Sequence, residues 1–497
     1  MVEIVKRASN YLKRTAIISN DSKYSFLQLL DKSETIASKL LNGKKDLLEQ
    51  RVAFMIPPSF EYVSVQWAIW RAGGIAVPLC NLHPLASLKY VIEDSEASIV
   101  VITKPYKKVL EPLSKQLKIR LILVEDLKES FLEELPIISN ERRAMILYTS
   151  GTTSLPKGVV TTHKNIQFQI ESLVKAWKWK SNDRILNILP LHHIHGIINV
   201  LSCSLWSGAC CEFLPKFNSK KVWDKISGGE LTLFMAVPTI YFKLIDFWES
   251  SSKTEKINLS KGVKKLRLMV SGSAALPVPV LEKWKEITTH TLLERYGMTE
   301  IGMALSNSYK GERRPGHVGL PLPGVKVRLA DSNGNEIKNV GDSGEIQIKG
   351  PNVFKEYWNK PKTTKESYQE GWFKSGDIAV FKDGMYKILG RDSVDIIKSG
   401  GYKISALEIE DVLRTHSKIK ECAVIGVQDD EWGEIVAASL VLSAEKIDYN
   451  GLKKWLKEFL PSYKIPRKFI VQKELPRNTL GKVTKNILKK HLINQKI

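Results

Sequence analysis

One stretch of this 497-residue chain sets hydroxyl side chains, glycines and one cation in close succession: Tyr148, Thr149, Ser150, Gly151, Thr152, Thr153, Ser154, Leu155, Pro156, Lys157 and Gly158. It follows Ala144–Leu147, an apolar run that reads as a strand. Closely spaced N–H groups and hydroxyls can wrap the oxyanions of a polyphosphate, and Lys157 adds charge. Pro156 and Gly158 break the Gly-x-x-x-x-Gly-Lys-Ser/Thr pattern, so this is not a Walker A loop. Taken alone, the stretch reads equally well as a polar surface loop.

Four further segments carry residues able to do related chemistry. They are Arg295-Tyr296-Gly297-Met298-Thr299-Glu300, Gly371 to Asp377, Gly390-Arg391 running on to Lys398-Ser399-Gly400-Gly401-Tyr402, and Pro476 to Lys482. Each has an ordinary reading by itself. Lys482 can be a solvated surface lysine, Asp377 a turn residue, Glu300 a helix N-terminal carboxylate and Tyr296 core. In this order, the five segments resemble those of the adenylate-forming superfamily: acyl-CoA synthetases, luciferases and nonribosomal adenylation domains. The resemblance covers the chain from about Tyr24. Ser154 stands where that family usually has Gly, and Leu480 where it often has Ser.

The resemblance implies ATP, Mg²⁺ and coenzyme A. A carboxylate attacks the α-phosphate of ATP, pyrophosphate leaves, and the thiol of coenzyme A then displaces AMP. It implies that Thr149, Ser150, Gly151, Thr152, Thr153 and Lys157 hold the β- and γ-phosphates. Thr299 would contact the α-phosphate, and Glu300 would ligate Mg²⁺ through a hard oxygen. Tyr296 would stack on adenine, with Gly272, Ser273 and Ala274 on the other face. Asp377 and Arg391 would bind the ribose. Lys482 would be the adenylating lysine, His193 the gate histidine, Ser393 the pivot of a mobile C-terminal domain, and Lys398 to Gly401 the segment swung in for thioester formation.

The acid is signalled by Arg295. An unpaired charge is costly beside a hydrocarbon tail, whereas a second carboxylate can be held bidentately. The alternative is a surface pair of Arg295 with Glu294 or Glu300. His192 is polar where relatives often have an aromatic residue. Three stretches, Leu189–Leu201, Ser271–Asn307 and Gly390–Glu410, closely resemble malonyl-CoA synthetases. That resemblance implies malonate or methylmalonate as substrate, with Arg295, Ser271 and His192 at its distal carboxylate.

These side chains need a scaffold. Strand-like runs (Arg51–Met55, Ser98–Ile102, Leu121–Val124, Leu266–Val270) alternate with helical stretches (Glu61–Arg71, Asn165–Trp177), which predicts a layered α/β fold. After Pro315, short strands and glycine turns predict a β-rich subdomain. Helix Ala406–Thr415, strands Glu421–Val427 and Ile435–Leu442, and a helix ending before Pro461 predict a small α+β unit. The expected division is residues 1–391, an N-terminal domain for ATP and acid, and 392–497, a mobile C-terminal domain.

With 43% hydrophobic and 26% charged residues, the composition excludes a disordered, collagenous or disulfide-built chain. The 75 Lys and Arg against 53 Asp and Glu give +22. The basic residues are dispersed without interleaved aromatics, which argues against nucleic acid as a partner. Five cysteines without a CxxC pair read as reduced thiols. No run is apolar enough to span a bilayer, and Ile197–Cys211 reads as a buried helix. The basic N-terminus leans toward the mitochondrial matrix over the cytoplasm. Oligomeric state is not encoded. Two rival readings stay open: a short- or medium-chain fatty acyl-CoA synthetase, and a non-catalytic basic binding protein.

Overall fold

The computed structural model describes residues 2–127, 134–149, 155–399, 402–429, 431–443, 446–478 and 481–494. Among these residues, a nine-stranded sheet runs in the order Leu320–Pro321, Gly302–Ser306, Leu293–Met298, Leu268–Ser271, Leu233–Ala236, Arg184–Asn187, Cys210–Phe213, Thr15–Ser19 and Ser22–Ser25. A seven-stranded sheet runs Glu356–Tyr357, Lys157–Thr162, Arg143–Thr149, Ile75–Pro78, Arg51–Met55, Ile99–Ile102 and Arg120–Leu123. Their central strands are mostly parallel, and runs such as Ile99–Ile102 and Leu268–Ser271 are buried throughout. Strands covered on both faces read as continuous apolar runs rather than as alternation.

Helix starts follow local chemistry. Ser25 and Gln28 exchange hydrogen bonds in a capping box that opens Phe26–Leu41. Thr162 and Asn165 do the same for His163–Ala176. The Asn165 amide also donates to the carbonyls of Pro351 and Val353, tying this helix to the segment before Glu356–Tyr357.

The β-rich part is a sheet of Lys326–Ala330, Ser343–Lys349, Trp372–Lys382 and Tyr368–Gln369, with Met385–Arg391 paired to Trp372–Lys382. That antiparallel register sets Asp377 opposite Arg391. The chain then turns at Asp392 to Asp395. A last sheet follows, built from Tyr402–Ser405, Ile396–Ser399, Gly433–Leu442, Ile419–Asp429 and Lys468–Val471, with its own apolar clusters.

Three expectations are corrected. Ile197–Cys211 is not one helix. A π-helix spans His195–Ser202, one α-turn follows at Cys203–Trp206, Gly208 turns the chain at φ +71°, and Cys210–Phe213 is a strand. The fold also starts before Tyr24. Helix Glu3–Ala8 buries Ile4 and Val5, and the Arg7 guanidinium donates to the Trp206 carbonyl and lies over its ring. The last helix before Pro461 ends at Leu456, which leaves Phe459 57% exposed.

Candidate active site

The strands Leu268–Ser271 and Leu293–Met298 are parallel neighbours, with Ser271 in register with Glu294. In such sheets ligands bind beyond the carboxyl ends of strands. Here those ends carry Ser271-Gly272-Ser273 and Arg295-Tyr296. Arg295 is 4% exposed, and among the described residues it has no carboxylate partner. Its Nη2 donates to the Ser273 hydroxyl at 3.1 Å, and its Nε is buried without a partner. Burial pushes the guanidinium well below its ordinary pKa. The surface pairing considered for Arg295 does not form. Glu294 accepts from the Gly316 amide at 3.0 Å, and Glu300 from the Tyr357 hydroxyl at 2.9 Å.

Gly272 makes room for this arrangement, since a Cβ there would lie 2.5 Å from the Arg295 guanidinium carbon. Ser273 follows in left-handed backbone, φ +70°, which turns its side chain away from the strand direction. Its hydroxyl also meets Nδ1 of His195 at 3.2 Å. Ser271 is fully buried and its hydroxyl has no partner. The His192 and His193 ring centroids lie 4.1 Å apart with the planes tilted by 52°, and the His83 ring centroid lies 6.2 Å from that of His192. Burial drives all three histidines of the 192–195 segment toward the neutral form, His192 to about 2, His193 to about 4 and His195 well below its usual value. The Nε2 of each is buried and unpartnered. His192 touches His193 and His83; the histidine joined to the Arg295 shell is His195.

A second group lies one residue further along the strand. The Tyr296 hydroxyl donates to Asp377 at 2.6 Å, and Arg391 lies 3.4 Å from the other Asp377 oxygen. Burial raises the Asp377 pKa against the opposing pull of Arg391, Tyr296 and Lys482. Thr149 and Lys157 are cross-strand partners, and the Lys157 ammonium sits 4.5 Å above the Tyr357 ring. That ring's hydroxyl is the one bonded to Glu300, so the cation, the phenol and the carboxylate form one chain. Burial raises the Glu300 pKa, and Tyr357, Arg391 and Lys157 oppose the rise. Thr299 occupies the turn between Tyr296 and Glu300. Ser150, Gly151, Thr152, Thr153, Gly400 and Gly401 lie outside the described residues.

No group of three or more His, Cys, Asp or Glu side chains able to hold a metal occurs among the described residues. Glu300 offers one buried carboxylate, bonded to the Tyr357 hydroxyl. Mg²⁺ is bound through one or two carboxylates together with phosphates and water, so Glu300 would suit that ion.

From the C-terminal part, Gly481 lies against Thr239 at the start of helix Pro238–Ser250. Lys482 is exposed, its amide held by Asn478 at 3.0 Å, and its charge bears on both Asp377 and Asp395. Lys398 pairs with Asp392 at 3.4 Å, and Ser399 is buried in the sheet. Neither bonds to Arg295, Tyr296, Glu300 or Asp377. Ser393 is exposed in the turn after Arg391. Sequence reasoning missed His195, Tyr357, Asp395 and Lys485. A His-x-His-Gly spacing could have raised His195; nothing in the sequence distinguishes Tyr357.

Residues 4–358 match the AMP-binding enzyme family, and residues 408–482 match the AMP-binding enzyme C-terminal domain. The chain belongs to the AMP-binding enzyme family. Among its relatives is the mitochondrial malonate–CoA ligase ACSF3 of Xenopus laevis, 44% identical over 535 residues spanning 100% of this chain and 93% of that protein. The crystal structure of ATP-bound MatB from Rhodopseudomonas palustris is similar at a TM-score of 0.90 and 33% identity, covering 99% of this chain and 98% of that one. Apo MatB from the same organism is similar at a TM-score of 0.80, with 33% identity and 99% of each chain covered.

Proposed function

We propose that this protein is an AMP-forming malonate–CoA ligase. It couples malonate and ATP to malonyl-AMP and pyrophosphate, then transfers the malonyl group to coenzyme A with release of AMP. The single observation that carries the choice of acid is Arg295, an interior cation with no carboxylate beside it among the described residues. A dicarboxylic acid supplies the missing anion while its other carboxylate reacts; a fatty acid cannot. The malonate–CoA ligase from Xenopus laevis supports the same reading.

In this reading Arg295 and Ser271 bind the distal carboxylate, with His192 contributing a neutral imidazole at most. Tyr296 stacks on adenine beside Gly272 and Ala274, and Asp377 with Arg391 holds the ribose. Thr149, Lys157 and the intervening residues grip the β- and γ-phosphates, and Thr299 contacts the α-phosphate. Glu300 would hold Mg²⁺, which when bound neutralises charge on the phosphates. Lys482 stabilises charge gathering on the α-phosphate and the attacking carboxylate. His193 serves as the gate histidine.

The proposed division is 1–391 and 392–497, with Ser393 as pivot. Rotation there exchanges Lys482 for the Lys398–Gly401 segment between the two half-reactions. The similarity to ATP-bound over apo MatB (TM-score 0.90 against 0.80) fits a chain arranged for the first half-reaction. The proposed compartment is the mitochondrion, as for the Xenopus laevis relative. Among the described residues, no helix is long and apolar enough to cross a membrane.

The test is CoA-dependent AMP release with ATP and Mg²⁺ on malonate, methylmalonate, acetate, succinate and octanoate. A malonate kcat/KM at least about tenfold above acetate and octanoate is expected. A preference for acetate or octanoate would overturn the assignment of Arg295.

A further inference from the structure

His195 is 3% exposed at the start of a π-helix, a local geometry often found at functional sites. Its Nδ1 meets the Ser273 hydroxyl at 3.2 Å, and that hydroxyl accepts from Arg295 Nη2 at 3.1 Å. The three groups come from distant parts of the chain and converge in the interior. We propose that His195 is a positioning residue for acid recognition, acting through Ser273 to fix the guanidinium of Arg295.

The argument is a hydrogen count. A serine oxygen has one hydrogen and two lone pairs. Arg295 takes one lone pair. In one tautomer the hydroxyl donates to Nδ1, and the ring proton sits on Nε2, which is buried with no protein partner. In the other, Nδ1 donates to the hydroxyl, and the serine hydrogen is the one left over. Either way His195 uses up a valence of Ser273 that could otherwise turn the hydroxyl away from Arg295. Gly272 also packs close to the guanidinium, since a Cβ there would lie 2.5 Å from its carbon. A planar donor fork binds a carboxylate with two bonds only when its plane is fixed. His195 therefore sets the orientation of that plane without touching the acid.

The inference rests on the malonate reading, and the experiment separates the two. KM for malonate, KM for ATP and kcat are measured for His195→Phe, His195→Asn and Ser273→Ala. Asn can present an acceptor or donor where Nδ1 stands, whereas Phe cannot. His195→Phe is expected to raise KM for malonate about tenfold with KM for ATP within about twofold. His195→Asn should recover most of that loss. Ser273→Ala, which leaves the π-helix untouched, should match His195→Phe, and the double variant should be no worse than either, as for residues in one network. A malonate-selective wild type whose malonate KM ignores His195→Phe and Ser273→Ala overturns the assignment of His195 alone. Additive losses in the double variant overturn the relay. A wild type that does not select malonate over acetate overturns the reading beneath both.

Discussion

Lys485 and Asp395, 90 residues apart in the chain, meet at 2.7 Å. The same ammonium reaches Glu410 at 2.6 Å, and the second oxygen of Asp395 accepts from the Arg391 amide at 3.1 Å. One buried cation thus joins the turn containing Ser393 to the helix that follows the Lys482 loop. Lys485→Met would leave Asp395 without its paired cation while Glu410 keeps Arg414 at 2.9 Å, a loss on the order of 1–3 kcal/mol. Hydrogen exchange in helix Ala406–Leu413 is the readout; unchanged protection would show that the pair holds nothing together.

Lys482→Ala should abolish formation of malonyl-AMP while thioester formation from preformed malonyl-AMP continues. The two half-reactions are assayed separately, by pyrophosphate release and by AMP release. Loss of both together would remove the role given to Lys482.

Arg295→Ala should raise KM for malonate far more than KM for ATP. Arg295→Lys should rescue little, because a point charge does not replace a planar fork. Equal rises in both KM values would take Arg295 out of the acid site.

Gly272→Ala places a methyl 2.5 Å from the Arg295 guanidinium carbon. The side chain must move, so discrimination between malonate and acetate should fall by roughly tenfold, about 1.4 kcal/mol. Retained discrimination would show that the guanidinium has room to spare.

Burial raises the Glu294 pKa to about 8 from 4.5, with Asp411 reinforcing the shift while the Gly316 amide and Lys387 oppose it. Its folded pKa exceeds its unfolded one. The protonated carboxyl therefore favours the fold fully below pH 4.5, and that advantage disappears as pH rises through 8. Glu294→Gln keeps the amide acceptor without the charge, so its stability relative to wild type should improve by roughly 2–4 kcal/mol between pH 5 and pH 9. Parallel urea unfolding curves at both pH values would contradict this.

The parallel strands were legible because their apolar runs are continuous, and Arg51–Met55 matches to the residue. The β-rich sheet was legible from glycine turns. The stretch from Ile197 to Cys211 was misread because a buried helix and a buried strand look alike over a short apolar run. Only Gly208 separates them. In the site, Arg295 stood out through the resemblance, because relatives commonly carry a small residue just before the Tyr-Gly-x-Thr-Glu motif. The bond between Ser273 and Arg295 was not legible, because no residue type announces the left-handed backbone at Ser273. Tyr357 and Lys485 were invisible because their partners, Glu300 and Asp395, are distant in sequence.

A search for heat-resistant forms of this protein would reach Arg295 early. Methionine there would spare the fold the desolvation of a guanidinium that no carboxylate among the described residues offsets, and replacing buried charge by well-packed apolar groups is often neutral or stabilising. The resulting protein would be hardier and indifferent to its acid. On the proposed role, the arginine lowers the stability of this interior in return for a choice between acids.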